Sequence, residues 1–302
     1  AADLDAGLGF FCHAFADSVL QEPGTYRDAL RDLARSLADL STDGSVSGGG
    51  FIALEQMYSP HQVPWTISGA EELLREVYRQ TLHSSPESVR PCYITIDTGH
   101  AGAQRRFVRP DRERLGGLIA EYREGRRVDN VWLGPRRAYA VFDEATDHES
   151  GDDITWIEQI EREMGMFPYL FAHERDGDLY AWLERLGRYS PIIHLQQTSG
   201  KSSAHLPFTL EHNRSGIITG NKVLQALGVS CSGESVAGMP PGCGEIFLTI
   251  EMFSGTSDMN VDILHRLKES AAYWRQFIPE DGLRLSELLN RLDKDDGVHD
   301  AH

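Results

Sequence analysis

The chain has 302 residues, 40% hydrophobic and 25% charged, as expected of a globular protein of one large or two ordinary domains. Its net charge of −17 repels phosphate backbones and no basic stripe offsets it, which argues against a nucleic-acid partner. No apolar run approaches the ~20 residues of a membrane span, no basic-then-apolar leader is visible, and four cysteines without a CxxC pair suit a reducing cytoplasm.

In chain order, GLGFFC (7–12) reads as a short strand. Leu30, Leu33, Leu37 and Leu40 then recur at helical spacing over 25–41, before a Ser/Gly loop at 41–50. FIALE (51–55) reads as a strand, and 67–82 as a helix with Ser68 as N-cap. RPCYITID (90–97) is the next strand. Residues 101–176 break the rhythm, with helices expected in PDRERLGGLIAEYREG, GPRRAYAVFDEATD and TWIEQIEREMGMF. Such an insertion serves as a lid or substrate loop, or equally as an element through which copies of the chain assemble. Next come a helix at 180–187, with Tyr180 and Trp182 packing it on the sheet, and a strand at 191–197. A helix at 221–228 ends on glycine, a strand covers 245–253, and an amphipathic helix covers 261–278. Strand–helix alternation of this kind builds parallel strands, so the chain divides into βα units at 1–100 and 177–302 around the insertion at 101–176.

Four of these strands end in a similar way. FIALE ends on Glu55, CYITID on Asp97, PIIH on His194 and EIFLTIE on Glu251. Period-2 alternation puts Glu55 on a face with Ala53, Asp97 with Thr95, His194 with Ile192 and Gln196, and Glu251 with Thr249. A lone acidic strand end is usually a turn former. Four such ends on neighbouring parallel strands converge on the C-terminal rim, where α/β folds place their sites. Three carboxylates there repel unless a cation sits between them. Three oxygen donors and one imidazole suit Mn²⁺, Mg²⁺ or Co²⁺, with Zn²⁺ as a further candidate.

The motifs LEQM, IDTGH, PIIHLQQ and LTIEMF resemble the xylose-isomerase-like TIM-barrel superfamily of sugar and sugar-phosphate isomerases and epimerases. HLQQTSGKSSAHLPF and DLYAWLERLG resemble, within it, the tetrulose-phosphate epimerases and racemases. The resemblance implies an α/β (β/α)8 barrel whose last four strands hold one divalent metal through Glu55, Asp97, His194 and Glu251. It implies that His100 contacts a sugar or sugar-phosphate substrate. Glu55 and Glu251 then exchange a substrate proton through an enediolate, while His100 stabilises the negative charge that develops. Lys201, Ser202, Ser203 and His205, in the loop after PIIHLQQ, and Arg105, close behind DTGH, are candidate substrate contacts, with a solvated loop as the alternative. His13 either lines the pocket or caps the first strand, and His173 and His212 read as surface residues.

This sequence departs from the superfamily's ketose 3-epimerases at two contacts: His61 stands where they have a second glutamate, and Gly200 where they have an arginine. If FIALE is the fifth barrel strand, GLGFFC is the fourth and the insertion follows the sixth. The first strands are then lacking, and an incomplete chain, or one completed by a partner, is expected; the absent initiator methionine agrees with the former. Two other classes remain to be weighed, a DNA-repair endonuclease barrel and a non-catalytic barrel subunit. The acidic charge and the single histidine among the strand-end ligands oppose the first, and the intact ligand set opposes the second.

Overall fold

Apolar runs rich in Ile, Leu and Tyr, separated by amphipathic helical stretches, bury both faces best as parallel strands under helices. The computed structural model describes residues 8–10, 15–42, 51–84, 90–100, 102–126, 131–148 and 153–299. The ends of GLGFFC, His13, Ala101 and most of the Ser/Gly loop lie outside these residues. The strands β1 (Leu8–Phe10), β2 (Ile52–Glu55), β3 (Cys92–Asp97), β4 (Ile192–Leu195) and β5 (Phe247–Ile250) form one five-stranded sheet. Every neighbouring pair is parallel and the order β1-β2-β3-β4-β5 never reverses. A doubly wound sheet reverses at a switch point. An unreversed run with helical crossovers is a barrel wall, and these strands and helices form a parallel half-barrel.

Between β1 and β2 lie α1 (Asp17–Leu20) and α2 (Pro23–Thr42), and α3 (Ile67–Ser84) leads to β3. The stretch before β4 holds α4 (Arg112–Arg123), α5 (Arg136–Asp147), α6 (Asp153–Gly165) and α7 (Leu179–Leu186), with short 3-10 turns at Ala103–Phe107 and Glu174–Gly177. Beyond β4 come α8 (Leu210–Ser215) and α9 (Gly220–Ser232), and beyond β5 come α10 (Asn260–Arg275) and α11 (Leu285–His299). No helix among the described residues is long and apolar enough to cross a membrane.

Several boundaries differ from those read in the sequence. Ser41 and Thr42 end α2 rather than open a loop, because both hydroxyls bond back to carbonyls of their own helix, Ser41 to that of Leu37 at 2.8 Å. The cap of α3 is Thr66, whose Oγ1 accepts from Gly69 N at 3.1 Å; Ser68 falls inside the first turn. Helix α9 runs through Gly228 instead of stopping there. A Cβ at that glycine would stand 2.7 Å from Leu289 Cδ1, so its bareness lets α11 approach. Helix α11 falls in the region read as ending in C-terminal helices; its Leu288 and Leu292 bury against Leu224.

Among the described residues there are two large cores. The first lies between sheet and helices, around Leu54, Ile94, Ile96, Trp182, Leu186 and Ile193. The second is built by the insertion, from Leu115, Ile119, Leu133, Phe142 and Ile160. It also takes in Phe15 and Leu20, which follow β1, and Val63 and Trp65, which follow β2. The insertion is therefore packed onto segments that leave the C-terminal ends of β1 and β2.

Asp176 joins the two regions. Its buried carboxylate accepts from Ile67 N, at the start of α3, and from His173 N, both at 2.7 Å. Its carbonyl accepts from Trp182 Nε1 at 2.8 Å. Replacing Asp176 with alanine orphans two backbone donors and is expected to cost about 3 kcal/mol in urea unfolding at unchanged m-value. Asp176→Asn, which keeps one acceptor oxygen, should cost clearly less.

Candidate metal centre

Sheet register puts the strand-end residues on one face. Glu55 pairs with Thr95, Asp97 with His194, and His194 with Thr249. Glu251 lies one residue past β5, its N–H held by Leu195 O at 2.9 Å. Parallel strands in register keep partnered side chains on the same side, so all four reach the same end of the same face. His194 Nδ1 stands 3.2 Å from Glu55 Oε1, 3.1 Å from Glu251 Oε2 and 3.8 Å from Asp97 Oδ2. One ligand atom from each of the four lies within 4.8 Å of every other. A cavity of about 360 Å³ adjoins them, lined by Gly9, Phe10, Glu55, Thr95, Ile192 and His194.

Asp97 is the most enclosed of the set, with no exposed surface. Its Oδ1 accepts from Gly99 N at 2.7 Å, His100 N at 3.2 Å and Gln196 Nε2 at 2.5 Å. Its Oδ2 is buried with no hydrogen-bond partner, and so is Glu251 Oε2. Both bare oxygens face His194. Burial pushes the Asp97 carboxyl up to about 7; His100 opposes this and the neighbouring Glu251 adds to it. Burial also disfavours a charged His194, but the Glu251 and Glu55 carboxylates outweigh it and raise the imidazole to about 10. In return, His194 draws Glu251 down to about 2. The cluster thus gathers positive charge at its centre. Orphaned buried oxygens and an oxygen-rich donor set both fit a divalent cation held by Glu55, Asp97, His194 and Glu251.

A second ring of residues flanks this group. His100 Nδ1 lies 2.8 Å from Gln56 O. A carbonyl only accepts, so Nδ1 carries the proton and Nε2, 4.0 Å from Asp97 Oδ2, is bare in the neutral ring. Tyr58 packs edge-on to His100, with centroids 5.1 Å apart. His205 Nε2 lies 3.9 Å from Glu251 Oε2, and its ring stacks on Phe253 at 3.7 Å. Asp97, His100 and His205 also place one ligand atom each within 4.8 Å of one another.

Lys201 is exposed in the loop after β4, and exposed Arg105 lays its stem against Gly177. His61 bonds the carbonyl of Phe15 at 3.1 Å. Gly200 has φ +79, and a Cβ on Gly102 would stand 2.6 Å from its carbonyl oxygen. That turn brings the loops after β3 and β4 into contact, and a side chain at 200 would be strained.

No protein-family profile matches the sequence. Over 107 residues the chain is 30% identical to the D-erythrulose 1-phosphate 3-epimerase of Brucella abortus (strain 2308). The matched stretch covers 35% of this chain and 31% of that relative. A crystal structure of a candidate xylose isomerase from Rhodospirillum rubrum ATCC 11170 superposes with a TM-score of 0.48 at 14% identity, covering 87% of this chain and 59% of that one.

A cation bound by these four donors would stabilise the native state by mass action, about 2.7 kcal/mol at a hundred times its Kd. Saturating Mn²⁺ is expected to raise the melting temperature by several degrees, and EDTA to reverse it. Asp97→Asn and His194→Ala should each abolish the shift. Identical melting curves for the native sequence with and without Mn²⁺, Mg²⁺ and Co²⁺ would remove the metal from this centre.

Proposed function

We propose that the chain is a divalent-metal-dependent sugar-phosphate epimerase or isomerase acting on a short ketose phosphate. The observation that carries this is the convergence of Asp97 Oδ2 and Glu251 Oε2, both buried and neither accepting a hydrogen bond, on His194 beside Glu55. The curated relative, itself a 3-epimerase of a tetrulose phosphate, supports the substrate class. We also take the five strands as part of an eight-stranded (β/α)8 barrel. Phe247 shares the inner face with Thr249 yet is 54% exposed, and closure of the wall would cover it.

Mn²⁺, Mg²⁺ or Co²⁺ at this centre would supply a Lewis acid that draws charge from a substrate carbonyl and its neighbouring hydroxyl. The chain's own residues do the rest. Glu55 on β2 and Glu251 after β5 flank His194 from opposite sides of the sheet order. One takes the proton from the carbon next to the carbonyl, and the other returns a proton. Return to the opposite face of the same carbon inverts it, and return to the adjacent carbon isomerises the sugar. His100, with Nδ1–H fixed on the Gln56 carbonyl, turns Nε2 toward the substrate, where it meets a substrate oxygen. Its part is to hold that oxygen and to stabilise the negative charge that develops there, as the sequence suggested. His205 faces the same space from the loop after β4. Lys201, Ser202 and Ser203 in that loop are assigned to the phosphate, with Thr198 Oγ1 holding the loop at Ser202 O (2.7 Å). Cys92, Cys231 and Cys243 carry no disulfide, in keeping with a cytoplasmic enzyme.

The test is proton exchange. D-Erythrulose 1-phosphate deuterated beside its carbonyl should lose deuterium to water in the presence of Mn²⁺. Glu55→Gln and Glu251→Gln, assayed at saturating Mn²⁺, should slow this by about 10²–10⁴-fold. If the native protein binds the cation yet exchanges no deuterium from any ketose or ketose phosphate, the enzymatic reading fails.

A further inference from the structure

Gln196 is fully buried one residue past β4. Its main chain is locked to the neighbouring strand end, since its N–H donates to Thr98 Oγ1 and its carbonyl accepts from the same hydroxyl, both at 2.8 Å. The side chain bridges two walls of the centre. Oε1 accepts from His205 N at 2.7 Å, and Nε2 donates to Asp97 Oδ1 at 2.5 Å. A peptide N–H only donates, so the amide has one permitted orientation: oxygen to His205, NH₂ to Asp97.

This orientation has a consequence for Asp97. With Gly99 N and His100 N also donating to Oδ1, one carboxylate oxygen is loaded with three donors and the other is left bare. The carboxylate can then present only Oδ2 to His194. The same amide sets His205, which sits at φ 45, an uncommon conformation for a residue with a side chain. His205 O in turn accepts from Phe253 N at 3.2 Å, and Phe253 stacks on the imidazole. Gly99 makes room for all of this. A Cβ there would lie 2.1 Å from Gln196 Oε1 and 2.2 Å from its Cδ.

We infer that Gln196 is a positioning residue that selects the oxygen Asp97 offers to the cation and ties that choice to the placement of His205. The inference rests on the metal-centre reading above. Partners that orient metal ligands are generally worth 10–100-fold in metal affinity. Two substitutions remove the amide by independent routes. Gln196→Leu keeps the bulk and loses both polar ends; Gly99→Ala keeps the glutamine and displaces it, and serves if the leucine variant does not fold.

The experiment is a calorimetric titration of each protein with Mn²⁺, with the electron paramagnetic resonance spectrum of the loaded forms and the urea midpoint in EDTA recorded alongside. Both variants should bind Mn²⁺ about 10–100-fold more weakly than the native protein. Their Mn²⁺ spectra should broaden, because Asp97 Oδ1 then keeps only the Gly99 and His100 N–H groups and the carboxylate is held less firmly in one orientation, a change that a general loss of stability does not produce. Native affinity and a native spectrum in the variants would overturn the role of Gln196 and leave the metal centre standing. A native protein that binds no Mn²⁺ would overturn both.

Discussion

Like charges held together out of water set the terms for this molecule. Glu55, Asp97 and Glu251 bring three carboxylates around one imidazole, in a space where Asp97 has no exposed surface at all. In the protein alone, protons relieve the repulsion: burial lifts Asp97 to about 7 and the two glutamates lift His194 to about 10. Neighbouring groups that would ordinarily satisfy a buried carboxylate are aimed elsewhere. The three donors around Asp97 all address Oδ1, leaving Oδ2 without a partner. An unsatisfied buried oxygen costs stability, and the fold spends its core and its strand register on keeping two of them pointed at one place.

The register makes this achievable. In a parallel sheet every strand delivers its last residues to the same rim, and pairing Asp97 with His194 fixes their relative height. The rim is then stitched across strands by polar side chains. Thr98 and Gln196 close the gap between β3 and β4, and Gln56 Oε1 accepts from Asp97 N at 3.2 Å between β2 and β3. The centre is thus carried by rigid elements backed by the main core, in which Ile94, Ile96 and Ile193 are almost completely buried.

Alternating apolar runs and strand-end ligands were legible in the sequence because each depends on a local period. The five strands and the three helices of the insertion fall where that period placed them, and Glu55, Asp97, His194, Glu251, His100 and His205 are brought together. What was not legible depends on contacts distant in the chain. Nothing near Ile67 shows that its N–H is capped by Asp176. Gly228 looks like a helix end until Leu289 is seen beside it. Gln56 and Gln196 look like ordinary polar residues after a strand, and only the backbone N–H that each side-chain oxygen accepts from, of Asp97 and of His205, fixes its orientation. The tautomer of His100 likewise follows from a carbonyl, not from the DTGH spacing.

The separation between strand ends and loops also explains why chemistry and specificity can change independently here. The proposed ligands stand at strand ends; the groups that would grip the rest of a substrate stand on loops. Those loops are anchored to the insertion: Gln104 Nε2 donates to Met57 O at 3.0 Å, and Phe107 packs edge-on between Trp65 and Trp132, with centroids 5.7 and 5.0 Å away. Gly200 turns at positive φ against Gly102, so the loop after β4 meets the insertion backbone to backbone instead of projecting a side chain there. His61 is tied to Phe15. Both positions at which the sequence departs from the ketose 3-epimerases are therefore structural joints in this chain. Their contacts are to the protein itself, so under the proposed function the burden of holding a substrate would fall to other residues of the same loops, while the four strand-end side chains keep their geometry.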